Sequence, residues 1–105
     1  MSIFKRFTTT QDNTELVDSS NYSANANITI SQIKVTNHGS FGECLVEVFL
    51  KPDGGGDDNY IFKTVIPENA TLIYDEPFSY PNSSTNKSTL SITTGTQTDL
   101  TVVIN

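Results

Sequence analysis

The chain has 105 residues, of which 35% are hydrophobic and 17% charged, with 12 acidic against 6 basic side chains and a formal net charge of -6. One domain of this length can bury a modest core, and the acidic balance argues against a nucleic-acid partner, because neutralising phosphates takes clustered lysine and arginine. Serine, threonine and asparagine make up about a third of the chain and tryptophan is absent, a composition that favours strands and turns over helices.

The chain opens on Ile3-Phe4-Lys5-Arg6-Phe7 and runs into polar TTTQDNTELVDSSNYSANAN. Residues 1 to 25 read as an N-terminal arm with edge strands around 2 to 8 and 14 to 18, and residues 26 to 105 as the body of the same domain. MSIFKRF has neither the apolar stretch nor the small-residue cleavage site of a signal peptide. No apolar run approaches the roughly 20 residues that span a bilayer, so the expectation is a cytoplasmically made protein with no membrane partner.

Ile28 and Ile30 share one phase and Ile33 and Val35 the opposite one, so ANITISQIKVT contains a bulge near Ser31-Gln32 or changes its buried face there. Asn37-His38-Gly39-Ser40 supplies a turn. From Glu43 to Lys51 the alternation is strict: Cys44, Val46, Val48 and Leu50 form a core face, and Glu43, Leu45, Glu47, Phe49 and Lys51 a mixed, partly wet one. PDGGGDDN then stops any regular element and makes a hairpin loop. Tyr60 to Ile66 resumes as a strand, with Tyr60, Phe62 and Ile66 in one phase and Ile61 and Val65 in the other. After Pro67, Glu68-Asn69-Ala70 fits one helical turn. Thr71 to Tyr74 is a short strand, Tyr80-Pro81 and NSSTNKS a polar loop, and Thr89 to Thr93 and Leu100 to Ile104 are closing strands.

Seven or eight short strands with turn signals between them predict an all-β fold, a single antiparallel β-sandwich of jelly-roll or immunoglobulin-like type with an N-terminal arm. Cys44 is the only cysteine, so no disulfide can staple the fold within one chain.

For chemistry, the single histidine, His38, and Cys44 are the one nucleophile-base pair to weigh, but a strand cysteine in phase with Val46 and Val48 reads as a small buried hydrophobe. No GxSxG, HExxH, GxxxxGK[ST] or GxGxxG is present. The acidic pairs Asp57-Asp58 and Asp75-Glu76 lie in turn-like segments. The glycine-rich loop at 53 to 59 has oxygen ligands for calcium but not the spacing of an EF-hand. The expectation is therefore a protein that is not an enzyme, with no catalytic residues, cofactor or metal. Phe78 and Tyr80, between Pro77 and Pro81, are candidate surface contacts for a glycan or receptor. Ile3, Phe4, Lys5, Arg6 and Phe7 are the candidate assembly interface: three large apolar side chains beside the chain's only adjacent basic pair, closing the domain's own sheet or adding a strand to a neighbour.

The segment FKRFTTTQ, then ISQIKVTN at 30 to 37, the strand ECLVEVFL, the stretch NYIFKTVIPENATLIYDEPF and the closing TxLTVVI at 98 to 104 resemble the small accessory virion proteins of tailed bacteriophages, especially those of cyanobacteria. The resemblance consists of strand rhythm and a few turn residues over most of the chain. It implies a non-enzymatic structural virion protein, first of all a capsid decoration (cement) protein that binds across subunit junctions. A tail, neck or baseplate accessory, or a carbohydrate- or receptor-binding module of a tail fibre, is the alternative. The implied partners are major capsid or tail proteins of the same phage and further copies of the chain, and the implied location is the virion, after synthesis in the host cytoplasm.

Overall fold

The computed structural model describes residues 2–95 and 97–105. The chain is all-β, and its antiparallel sheets pack as a sandwich. Ten strands follow in order: β1 (Ile3–Phe7), β2 (Thr14–Glu15), β3 (Asn27–Ile30), β4 (Ile33–Asn37), β5 (Cys44–Pro52), β6 (Asn59–Ile66), β7 (Thr71–Tyr74), β8 (Phe78–Pro81), β9 (Ser88–Thr94) and β10 (Leu100–Ile104). One 3-10 turn, Ser19–Asn21, separates β2 from β3.

The strands form two four-stranded sheets and a ribbon. Sheet A has the order β1-β10-β4-β7, sheet B the order β2-β9-β5-β6, and β3 pairs with β8 alone. The arm is thus divided between the two layers, β1 lying on β10 and β2 on β9. Alternation explains the core. Ile33 and Val35 of β4 and Leu100, Val102 and Ile104 of β10 point inward from sheet A. They meet Val46 and Val48 of β5, Leu90 and Ile92 of β9, and Leu16 and Val17. β-Branched side chains dominate because they suit a pleated, buried surface.

The opposed phases of Ile28-Ile30 and Ile33-Val35 resolve as a change of sheet: all four are buried, the first pair in the ribbon and the second in sheet A. The crossing at Ser31-Gln32 is tied by Asn105, whose main-chain oxygen accepts from the Ser31 and Gln32 amides (2.6 and 3.1 Å) while its amide donates to the Gln32 carbonyl (2.9 Å).

Four sequence expectations change. The strand count rises from seven or eight to ten because ANITISQIKVT holds two strands and because Phe78–Pro81, of which Tyr80-Pro81 reads as the start of a polar loop, is a strand. It sits on a two-stranded ribbon, where proline at the strand end costs no central ladder bond. Glu68-Asn69-Ala70 is a tight turn, with the Ala70 amide on the Pro67 carbonyl (3.2 Å) and Asn69 at φ 61°. Tyr60 is exposed and leaves the phase of Phe62, because the register slips between Val48 and Phe49 and leaves Ile61 with no opposite residue on β5. Phe49, expected on the partly wet face, is buried, its ring 5.6 Å from that of Tyr60.

The expected turn at 37 to 40 is held by Asn37, which is buried: its Nδ2 donates to the Gly42 and Ile66 carbonyls (2.8 and 3.0 Å) and its Oδ1 accepts from the Gly39 amide (2.9 Å). Gly39 has φ 80°, and a Cβ there would lie 2.7 Å from the Asn69 Oδ1. Only glycine fits both the left-handed backbone and the approach.

With no disulfide, stability rests on the packed layers. Ile92→Ala and Leu100→Ala are each expected to lower the unfolding free energy by about 2–5 kcal/mol in urea titrations, whereas Phe4→Ser stays within about 0.5 kcal/mol.

Candidate docking surface

The pairing of β1 with β10 sets Ile3 opposite Ile104, Phe4 opposite Val103, Lys5 opposite Val102, Arg6 opposite Thr101 and Phe7 opposite Leu100. Period-2 alternation then divides the five candidate assembly residues. Ile3 and Phe7 turn inward and pack against the core, with Lys5 half-buried between them. Phe4 turns outward and is 72% exposed. Arg6 also turns outward, and its Nε and Nη2 donate to Asp99 Oδ1 (2.9 and 2.6 Å). The structure brings Phe4 and Arg6 to the surface and withdraws the other three.

Asp99 is the residue that sequence reading missed. Its Oδ2 accepts from the Ser40 hydroxyl, and its backbone carbonyl accepts from the His38 amide (2.9 Å). The Ser40 hydrogen bond first, and the Arg6 guanidinium after it, hold the Asp99 carboxyl below the ordinary carboxylate value. No local signal marks this pair, since 93 positions separate Arg6 from Asp99.

Outward positions of sheet A form two cross-strand rows. One runs Phe4, Val103, Lys34, Ile73, and the other Arg6, Thr101, Thr36, Thr71. Ile73 is 53% exposed. Thr36 and Thr71 share a hydroxyl hydrogen bond (2.9 Å), and His38 Nε2 reaches the Thr101 hydroxyl (2.7 Å). On the outside of sheet B, Leu45, Val65 and Tyr60 are exposed. Leu45 and Val65 line a shallow concavity of about 230 Å³ with Phe41, Glu43 and Gln97. Elsewhere on the outside of sheet B, Lys63 pairs with Glu47 (3.0 Å) and lies 5.5 Å over the Tyr60 ring.

No protein-family model, no curated protein and no solved structure matches this chain.

The other candidates fall elsewhere. Tyr80, expected at the surface, is 2% exposed. It ends a ladder of rings, Phe62 to Tyr74 (5.8 Å), Tyr74 to Phe78 (6.4 Å) and Phe78 to Tyr80 (6.4 Å), that closes the flank of the sandwich. The alternation of a strand, which sequence reading had not assigned there, turns Tyr80 inward opposite Ile28. Its hydroxyl has no hydrogen-bond partner among the described residues, and burial above all pushes its pKa up. Phe78 is half-buried in the same ladder.

The His38-Cys44 pair is not assembled. His38 is engaged with Thr101 on the outside of sheet A, whereas Cys44 is buried, its Sγ against the Leu45 carbonyl (3.5 Å) and the Thr98 hydroxyl (3.9 Å). The loop at 53 to 59 is an exposed hairpin tip whose three glycines have φ between 92° and 111°. Its carboxylates do not converge into a metal-binding group among the described residues. In the loop between β8 and β9, Asn82 is buried, and its Nδ2 donates to the Ser19 and Ser23 carbonyls (both 3.3 Å).

The depressed Asp99 carboxyl has a definite consequence for stability against pH. A group whose folded pKa lies below its unfolded value of 3.8 stabilises the fold above that value and loses the contribution as pH falls through the folded pKa. Asp99→Asn is therefore expected to melt lower than the parent chain at pH 7, with the gap narrowing once pH drops below about 4. Thermal melts of both chains between neutral and strongly acidic pH check this.

Proposed function

We propose that this chain is a non-catalytic structural component of a tailed-phage particle, a decoration protein that sits on the shell and bridges neighbouring subunits. The observation that carries the reading is the exposure of large apolar side chains on the outward faces of both sheets: Phe4 and Ile73 on sheet A, and Leu45, Val65 and Tyr60 on sheet B. An exposed apolar patch rimmed by polar groups is the usual mark of a protein-protein contact. Bearing such side chains on both faces suits a module wedged between other proteins. The likeness of ISQIKVTN, ECLVEVFL and the closing strand to accessory virion proteins supplies the biological setting. Many copies on a symmetric shell would each add binding free energy to the assembled state only, which stabilises the particle by mass action.

The in-chain pairing of β1 favours docking by a finished sandwich over exchange of the arm between copies. Removing residues 2 to 8 would strip the inward Ile3 and Phe7 from the core and expose the edge of β10, so truncation tests folding as much as docking. Burial of Tyr80 leaves the tail-fibre glycan reading without its proposed platform.

Quantitative mass spectrometry of purified particles of the phage that encodes the chain tests the proposal. Copies on the order of hundreds per particle, comparable with the major capsid protein, are the expected result for a decoration protein. Tens or fewer move it to the neck, tail or baseplate, and complete absence refutes the virion reading.

A further inference from the structure

Sheet A turns an unusual face outward for a chain with a net charge of -6. Its eight outward strand positions, Phe4 and Arg6 on β1, Thr101 and Val103 on β10, Lys34 and Thr36 on β4, and Thr71 and Ile73 on β7, hold two cations and no carboxylate. Arg6 is matched within the chain by Asp99. Lys34 is exposed and has no ion-pair partner among the described residues. It stands in the row between Val103 and Ile73, with Phe4 at the far end. Sheet B differs, because its outward face carries the carboxylates Glu15 and Glu47 beside Lys51 and Lys63, and Lys63 is held by Glu47.

From this placement we infer that the outer face of sheet A is the docking surface, and that its partner is an acidic protein surface offering two apolar seats with a carboxylate between them. The inference rests on the decoration reading and adds the partner's chemistry. Strands in a sheet lie about 4.8 Å apart, so Phe4 and Ile73, three spacings from each other, reach seats about 14 Å apart. The carboxylate belongs about one strand spacing from the Ile73 seat, opposite Lys34. Phe4, 72% exposed and at the sheet's edge strand, is the anchor with most area to bury. Lys34, flanked by apolar side chains, loses water when the face is covered, so an unmatched partner would leave a desolvated ammonium. A matching carboxylate removes that cost and selects among apolar surfaces. The row of Thr101, Thr36 and Thr71 supplies a flat hydroxyl rim beside these anchors.

The test uses particles produced without this chain, to which purified full-length chain is added back and bound protein measured by co-sedimentation over a dilution series. Phe4→Ser, Lys34→Glu and Lys34→Met probe sheet A, and Leu45→Ser probes sheet B; each variant is first checked for an unchanged thermal midpoint. Phe4→Ser and Lys34→Glu are expected to weaken binding about tenfold or more, and Leu45→Ser, on the second apolar face, to weaken it less. Raising salt should weaken wild type more than Lys34→Met, since only the former carries the charge. Sheet A variants that bind as wild type while Leu45→Ser fails overturn the inference and leave the decoration reading standing. Sedimentation of the pure chain as a dimer that Phe4→Ser dissolves also overturns it, assigning the face to a second copy. Failure of wild type itself to bind removes the reading and the inference together.

Discussion

The register of β1 on β10 is the constraint from which the rest of this molecule's surface follows. With Ile3 opposite Ile104 and Phe7 opposite Leu100, two apolar side chains complete the core at the edge of sheet A. The same register sends Phe4 and Arg6 outward. A slip of one residue would reverse every assignment, exposing Ile3 and Phe7 and pressing Arg6 into an aliphatic layer. Arg6 is also the side chain that resists such a slip. Its two donor contacts to Asp99, one residue before β10, fit a single alignment, and Asp99 is in turn fixed by Ser40 from the turn after β4. With the Arg6 side chain about half exposed, the pair adds little by its charge alone. Its value lies in geometry, since it pins the end of an edge strand that would otherwise fray.

Once the core is closed on both sides, the two outer faces are free to differ. Sheet B sets Glu15 and Glu47 against Lys51 and Lys63 on its outer face, and Lys63 pairs with Glu47. Sheet A keeps Lys34 among apolar neighbours while most of the chain's carboxylates lie on other elements, in loops and on sheet B. Sequence composition conceals this asymmetry, because a net charge of -6 averages over faces that meet different surroundings. The free edges matter as well. β6 is an eight-residue edge strand, and an edge of that length is open to unwanted pairing. The bulge at Ile61 and the central Lys63 interrupt it, which matches the devices that soluble sheets use against edge-to-edge association.

Much of the fold was legible because burial imposes period-2 alternation wherever a strand has one face on the core. Cys44, Val46, Val48 and Leu50 were readable as an inward set for that reason, and the change of face between Ile30 and Ile33 was one of the two readings, beside a bulge, that the run allowed. Legibility failed where a feature depends on residues far apart in sequence. The strand Phe78–Pro81 looked like a loop because prolines punctuate it, and only its pairing with β3 makes it a strand. Tyr60 left its expected phase through a bulge that no residue type announces. Within the candidate site, the arm was visible as an apolar-basic cluster. Which of its residues face outward depended on the partner strand, and the Lys34-Ile73 continuation of the row depended on sheet order.

Isotope-filtered NMR on an equal mixture of labelled and unlabelled chain tests the β1-β10 register most directly. Nuclear Overhauser contacts between Phe4 and Val103 and between Ile3 and Ile104, within one chain and absent from the interchain spectrum, are the result this account predicts. The same contacts appearing between chains would mean that the arm is exchanged and would contradict docking by a self-closed sandwich; contacts shifted by one residue would place Phe4 in the core and contradict the outward face on which the docking proposal stands.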